Sequence, residues 1–95
     1  MTYKLKFLPA AKKEWDKLAE PLKKQFKNKL AERLENPHVP SAKLKGYESV
    51  YKIKLRTAGY RLAYEVLDNE IVIYVLAVGK RDKNIIYKKL ASRME

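Results

Sequence analysis

The chain has 95 residues, of which 46% are hydrophobic and none is cysteine, so one compact domain spanning 1–95 is expected. The lack of cysteine excludes disulfides, thiolate nucleophiles and sulfur-ligated metal sites. Lys and Arg number 22 against 11 Asp and Glu, a formal net charge of +11. This excess favours a polyanionic partner, most commonly nucleic acid, although lysines that only solvate a face remain an alternative.

No segment resembles a targeting or membrane sequence. Residues 1–6 have no apolar signal-peptide core. The longest uncharged stretch near the middle of the chain, 71–79, is too short to cross a bilayer as a helix. We therefore expect a cytoplasmic protein with no membrane partner.

The first half of the chain predicts one strand and two helices. Residues 3–8 alternate loosely, as in a short strand, and Pro9 suits the first turn of a helix that continues to Leu18. Pro21 opens a second helix, which Asn36-Pro37 ends before a loop to about Gly46. The apolar stripe of the second helix recurs every four residues, at Leu22, Phe26, Leu30 and Leu34.

The second half predicts three strands, at 50–56, 60–67 and 71–78, and a closing helix over 83–94. The strand 71–78 is apolar on both faces and should be central and covered twice. Asp68-Asn69 suits a tight turn before it. The expected class is α+β in the order β-α-α-β-β-β-α, with an antiparallel sheet of about four strands and the two early helices on one face.

Strand alternation sorts the basic residues of the first two of these strands. Lys52, Lys54 and Arg56 alternate with apolar residues and share one face. The apolar residues of both strands must face the same core, which requires Lys54 to lie opposite Arg61. The sequence therefore predicts Lys52, Lys54 and Arg61 together on one hairpin face.

Like charges facing one another cost sheet stability. A bound anion would offset that cost. Alternatively, the face is solvated and Glu65 and salt relieve the repulsion.

Pairing about the Asp68-Asn69 turn sets the expected register of the last two strands. It places Tyr64 opposite Ile73 and Leu62 opposite Val75. Tyr74 and Leu76 then share the face of Arg61.

The end of the last strand can bring further groups to this face. Gly79 permits a sharp exit, after which Arg81 can swing back over the basic face. Tyr87 can approach from the closing helix, or can simply pack beside Leu90 and Ala91.

Taken as a set, these features resemble the RelE toxins of bacterial toxin–antitoxin pairs. The resemblance covers nearly the whole chain, and each piece alone would be weak. It is carried by the segments 51–56, 59–62 and 78–81, by Tyr87, and by the alanine-rich, tryptophan-containing helix at 10–15.

The resemblance implies a microbial-ribonuclease-like fold and a cofactor-free, metal-independent endoribonuclease. Such a toxin enters the ribosomal A site and cuts the codon there, leaving a 2′,3′-cyclic phosphate. A RelB-like antitoxin would block it, and the pair would bind operator DNA and repress its own operon.

Matching positions assign the site residues. The catalytic set implied by the resemblance is Lys52, Lys54, Arg61, Arg81 and Tyr87. The supporting RNA-binding set is Arg56, Tyr60 and Lys80.

The cleavage needs a base, an acid and charge support for the phosphorane. The one histidine, His38, lies far from the basic hairpin in a loop between Pro37 and Pro40, and is interpreted as structural. Asp68 and Glu70 lie at a turn, so clustered carboxylates for a metal ion are not expected.

Lysine is therefore the expected base. Crowded cations lower a lysine pKa, so Lys52 and Lys54 serve together, or as one base with a helper. Arg61 would hold the scissile phosphate. The resemblance assigns Arg81 to the leaving oxygen; direct stabilisation, with water supplying the proton, is chemically easier. Tyr87 would stack on a base or orient the 2′-hydroxyl.

Two other functions are compatible with the sequence. One is a ParE-like inhibitor of DNA gyrase, which shares the fold and lacks the basic catalytic set. The other is a non-catalytic RNA-binding domain. That function would explain the net charge, but it would not explain why positive side chains converge on one face of the sheet.

Overall fold

The computed structural model describes residues 2–80 and 85–93, which form four strands and three helices. A single 3-10 turn, Pro40–Ala42, lies in the loop before the second strand. The predicted order β-α-α-β-β-β-α is confirmed. None of the helices in these two ranges combines the length and apolarity needed to cross a membrane. The elements are β1 Lys4–Phe7, α1 Pro9–Asp16, α2 Glu20–Glu35, β2 Val50–Leu55, β3 Tyr60–Leu67, β4 Val72–Lys80 and α3 Ile85–Arg93.

The sheet has the strand order β1-β4-β3-β2 and is mixed. β2, β3 and β4 form an antiparallel meander, whereas β1 pairs with β4 in parallel. The expectation of an antiparallel sheet was therefore wrong for β1. The reason is that α1 and α2 carry the chain back to the end of the sheet where β1 began. β2 consequently runs in the direction of β1, and two hairpins return β4 to that direction.

Helices α1 and α2 cover one face of the sheet, as predicted, and enclose the larger core. A proline in the first turn of each helix fixes the backbone where no intrahelical N–H bond is needed. Trp15 is 7% exposed and packs between Phe7 and Phe26, with ring centroids 5.4 and 6.1 Å away. We call this side of the sheet the first face.

Helix α3 covers part of the opposite side, the second face. Ile86 and Leu90 pack there with Ala63, Leu76 and Ala77, forming a smaller core. β4 thus has apolar contacts on both sides, as its sequence predicts. Tyr74 and Leu76 lie on the same side as Ala63 and hence as Arg61, also as predicted.

The register of β3 and β4 differs from the prediction. Tyr64 lies opposite Val75, not Ile73, and Leu62 lies opposite Val78, not Val75. The turn has four residues, 68–71, and Ile71 takes a positive φ of 55°. A bulge beside Tyr64 then adds one further residue to β4. Because β4 is apolar on both faces, its sequence could not distinguish these registers.

Candidate functional site

The hairpin of β2 and β3 brings the predicted lysines and arginine together. Lys54 lies opposite Arg61, and Lys52 lies opposite Ala63 in the same register. Directly paired residues share a face, so all three cations project from the second face. The predicted register is confirmed, and β2 forms the edge of the sheet.

No carboxylate among the described residues is paired with these cations. Among the ion pairs of residues 2–80 and 85–93, none involves Lys52, Lys54 or Arg61. Glu65 lies four residues from Arg61 on β3, about 13 Å at about 3.3 Å per residue, and opposite Val50. Glu65 is also the diagonal same-face neighbour of Lys52, which pairs with Ala63, but it forms no ion pair with any of the three cations.

The crowding changes the proton affinity of Lys54. The charge of Lys52 is the largest cause that holds the pKa of Lys54 below its ordinary value, followed by partial desolvation and the charges of Arg61 and Arg56. Each of these disfavours the ammonium form. A lysine with a lowered pKa offers more free amine at neutral pH and is a better general base.

Arg61 lies near the loop end of the hairpin, in the pair next to Leu55 and Tyr60. Its Nε is buried and has no hydrogen-bond partner within the part of the chain that the structure describes. An unpaired buried donor costs about 1–3 kcal/mol. Its partner on β4 is Gly79, which has no side chain to cover the guanidinium. Such a locally unfavourable arrangement is typical of functional sites.

The supporting residues are divided between the two faces. Arg56 follows β2 directly, is exposed, and contributes to the lowered pKa of Lys54. Tyr60 packs against the larger core on the first face, and Lys80 lies opposite it and is exposed. The structure therefore places Arg56 on the second face, with Lys52, Lys54 and Arg61, and leaves Tyr60 and Lys80 off it.

Tyr87 lies on the flank of α3 that faces this hairpin. Ile86 and Leu90 are buried, and at about 100° per residue the side chains of Lys89 and Tyr87 project to opposite flanks. Lys89 reaches the outer edge of β4 through the carbonyl of Val78, at 3.2 Å. The Tyr87 flank consequently points towards β3, and the ring is partly buried against the smaller core.

A carboxylate from α1 fixes α3 in this position. Glu14 reaches around the edge of β4 beyond the end of β1, where it accepts hydrogen bonds from the Val78 N–H at 3.1 Å and from Arg93 at 2.9 and 3.1 Å. It also pairs with Lys89. Burial alone would raise the pKa of Glu14, but these partners hold it below its ordinary value. Arg93 further donates to the Leu76 carbonyl at 2.8 Å.

His38 belongs to a separate network at the other end of β3. Its ring nitrogens lie 2.9 Å from the Tyr51 hydroxyl and 2.9 Å from an Asp68 carboxylate oxygen. The Tyr3 hydroxyl donates to the same carboxylate oxygen at 2.6 Å. Asp68 is seven residues beyond Arg61, roughly 23 Å along the strand direction. The structural interpretation of His38 is supported by these contacts.

Comparisons with known proteins identify the family. A model described as the ParE toxin of type II toxin-antitoxin system, parDE, matches residues 5–85. A putative RelE-like toxin protein from Escherichia coli is 48% identical over 94 residues, covering 99% of each chain. The mRNA interferase toxin RelE of E. coli strain K12 is 45% identical over the same length and coverage.

The chain belongs to the RelE/ParE family of toxins.

Solved RelE structures share the fold in detail. A double mutant of E. coli toxin RelE in the free state matches with a TM-score of 0.92 and 43% identity over 100% of both chains. The same toxin in complex with an antitoxin RelBc peptide matches with a TM-score of 0.84 and 45% identity over 94% of each chain. The RelE-like fold is thereby confirmed.

The RelE-type residue set is partly assembled in the structure. Lys52, Lys54, Arg56 and Arg61 converge, and Tyr87 lies on the adjoining flank of α3. Arg81 lies outside the described residues. Within residues 2–80 and 85–93, no group of three or more His, Cys, Asp or Glu is placed to hold a metal ion.

One cation beside the site was not predicted from the sequence. Arg33, in the last turn of α2, donates from Nη1 to the Lys52 carbonyl at 3.3 Å and to the Tyr64 hydroxyl at 2.8 Å. A signal was available, because Arg33 lies three residues after Leu30 and seven after Phe26, on the apolar side of the helix. A cation there requires a polar partner at the sheet.

Proposed function

We propose that this chain is the toxin of a type II toxin–antitoxin pair and an endoribonuclease that cleaves mRNA in the ribosomal A site. One observation carries the proposal: Lys52, Lys54 and Arg61 converge on a partly uncovered face with no carboxylate partner among the described residues. The RelE relative at 45% identity is an mRNA interferase, which adds independent support.

The proposed reaction is an internal transesterification. The free amine of Lys54, whose pKa is lowered chiefly by Lys52, takes the proton of the 2′-hydroxyl. The 2′ oxygen attacks the adjacent phosphorus, the bond from phosphorus to the 5′ oxygen breaks, and a 2′,3′-cyclic phosphate forms. A water supplies the proton that the 5′ oxygen gains.

The remaining residues stabilise charge and position the substrate. Arg61 binds the non-bridging phosphate oxygens through its planar donor fork. Arg81, by its resemblance to the RelE pattern, stabilises the leaving oxygen. Tyr87 stacks on a base or orients the 2′-hydroxyl. The chemistry assigned to this set requires neither a metal ion nor a cofactor.

The proposed partners follow from the same assignment. A RelB-like antitoxin binds and blocks the toxin, as a RelBc peptide binds the E. coli relative, and the pair represses its operon through operator DNA. The ribosome orders the mRNA, which an open cationic face cannot do alone, and orientation of this kind contributes several kcal/mol to catalysis.

Mapping messenger breaks in a translating extract tests the proposal. We expect cuts within A-site codons that end in a 2′,3′-cyclic phosphate. Arg61→Ala should reduce cleavage by about 10²–10³-fold, since it removes a donor that stabilises developing charge. Lys6→Ala is the matched control, because Lys6 is an exposed cation on β1, at the opposite edge of the sheet.

Two results would overturn the assignment, and a third would overturn the role of Arg61 alone. Inhibition of DNA gyrase without RNA breaks would favour the ParE-like function. RNA binding without cuts would favour the non-catalytic domain. Cleavage that persists in a folded Arg61→Ala protein would remove the phosphate-binding role of that residue.

A further inference from the structure

A cationic groove adjoins the proposed cleavage site along the outer edge of β2. It has a volume of about 340 Å³. No carboxylate lines the groove, and none of its cations forms an ion pair within the described part of the chain. The lining residues are Arg33, Ser41, Ala42, Lys52, Lys54 and Arg56.

Arg33 is oriented in this groove by contacts on one side of its guanidinium. Nη1 bonds to the Lys52 carbonyl and to the Tyr64 hydroxyl, which in turn donates to the Pro37 carbonyl at 2.8 Å. The guanidinium carbon lies 5.7 Å from the Tyr64 ring centroid. These contacts fix the side chain against the strand edge, so little conformational entropy remains to be lost on binding a ligand.

The other side of the guanidinium still has donors to offer. Arginine has five N–H groups, and the hydrogen bonds that Arg33 makes to the described residues involve Nη1 alone. The fork formed by the remaining donors suits the oxygens of a phosphate. Ser41 is exposed at the groove wall and adds a neutral hydroxyl donor.

We propose that this groove binds a second phosphate of the same RNA strand, the one next to the scissile phosphate, with Arg33 as its principal ligand. This inference rests on the proposed function. Lys54 lines the groove and also lies opposite Arg61 across the hairpin, so the two anion positions share one lysine. Neighbouring β-strands are about 4.8 Å apart. The two anion positions on β2 and β3 are therefore close enough for successive phosphates of one RNA strand to occupy both. Arg33 is thus a binding residue that sets where the scissile phosphate lies.

The test compares trinucleotides that differ by one charge. The probe is a trinucleotide with 2′-O-methyl groups, which cannot be cleaved, and its comparison compound has one of the two phosphate linkages replaced by a neutral methylphosphonate. Titration followed by NMR gives both dissociation constants. In the wild-type protein we expect the second charged phosphate to tighten binding by about tenfold, the usual effect of one charge-assisted hydrogen bond.

Arg33→Met should remove most of that tenfold difference. It should also lower the slope of log K against log salt by about 0.7, the value for one phosphate contact with a single strand. Lys6→Met is the matched control and should keep the tenfold difference, since it removes one exposed positive charge from the far edge of the sheet.

A second variant keeps the proposal testable if Arg33→Met does not fold. Ser41→Glu places a negative charge at the exposed wall of the groove and leaves the contacts of Arg33 with Lys52 and Tyr64 in place. We expect it to abolish the advantage of the second phosphate without changing Tm. If both variants keep the full tenfold difference, the groove is not a phosphate position and Arg33 only ties α2 to β2.

Two further outcomes separate this inference from the proposed function. If Arg61→Met weakens binding of the trinucleotide and Arg33→Met does not, the cleavage site stands and the second phosphate position fails. If neither variant nor Lys54→Met weakens it, the proposed function itself fails. Tighter binding of an oligoglutamate peptide than of the trinucleotide would overturn the inference in favour of an acidic protein segment.

Discussion

The two faces of the sheet are built from the same strands and differ in how far helices cover them. On the first face, α1 and α2 cover the sheet, and Ile53, Leu62 and Tyr64 are at most 1% exposed. On the second face, α3 covers β4 and only part of β3. Lys52, Lys54 and Arg61 project from this face on the hairpin beside α3, where Lys54 is exposed and Lys52 and Arg61 are half-buried.

This difference separates stability from function within a single hairpin. Alternate residues of β2 and β3 either pack into the larger core or point to the cationic face. The repulsion on the second face is tolerated because apolar burial on the first face stabilises the same two strands. Substitutions on the two faces should therefore affect different measurements.

The largest expected effect is on the second face, at Lys54. Lys54→Ala should slow A-site cleavage by roughly 10²–10⁴-fold, the usual contribution of a general base. The side chain is exposed and its removal relieves repulsion from Lys52 and Arg61, so the free energy of unfolding should not fall. Cleavage rates in a reconstituted ribosome system and denaturant unfolding measure the two quantities.

The pH dependence of the cleavage rate tests separately whether Lys54 is the base. Lys52 is the main cause of the lowered pKa of Lys54, so Lys52→Met should raise that pKa towards its ordinary value. The limb on which the rate increases with pH should then move to higher pH, and the rate at neutral pH should fall. An unmoved limb would contradict the role of Lys54 as the base.

Leu30→Ala tests the first face. Leu30 is 1% exposed, and a buried Leu→Ala change costs about 2–5 kcal/mol in free energy of unfolding. Unfolding can be followed by the fluorescence of the single, buried Trp15. The folded protein should cleave at the wild-type rate.

Leu5→Ala provides the same change at an exposed position. Leu5 is 37% exposed, and surface substitutions usually change the free energy of unfolding by about 0.5 kcal/mol or less. A Leu30 variant with normal stability and reduced cleavage would remove the distinction between the two faces.

A smaller effect is expected where the two faces are joined, at Glu14. Glu14→Gln should lower the free energy of unfolding by about 1–2 kcal/mol, because charge-assisted hydrogen bonds to Arg93 and Lys89 are weakened. Hydrogen exchange in α3 should accelerate. Glu20→Gln is the control, since the Glu20 side chain is 85% exposed and should leave both measurements unchanged.

The same variant should also change the pH dependence of unfolding. Because the folded-state pKa of Glu14 is lowered, its contribution is full above the unfolded pKa and is lost as pH falls through the folded pKa. The stability difference between wild type and Glu14→Gln should therefore shrink on acidification from neutral pH. A difference that stays constant would show that the carboxylate charge does not hold α3.

Much of the hairpin site was predictable because it is local in sequence. β2 and β3 each have one apolar and one polar face, and the short loop between them leaves a single register that buries the apolar residues together. That constraint was sufficient to place Lys54 opposite Arg61. Tyr60 was assigned to the supporting set by resemblance alone. Its position in the alternation of β3 places it on the apolar face, and there it packs against the larger core.

The β3–β4 register was not predictable in the same way. β4 is apolar on both sides, so a shift of its pairing changes no burial that the sequence reveals. The turn containing Ile71 and the bulge beside Tyr64 decided it. The parallel placement of β1 likewise depends on the path of the connection, which periodicity does not encode.

The amino-acid sequence by itself determined the order of the elements, the two faces of the hairpin and the convergence of Lys52, Lys54 and Arg61, because side-chain alternation and helical spacing are local properties. Only the tertiary structure decided that Arg33 lies beside Lys52 and that Glu14 holds α3. Those contacts join residues 19 and 79 positions apart, and they form only when the helices pack against particular edges of the sheet.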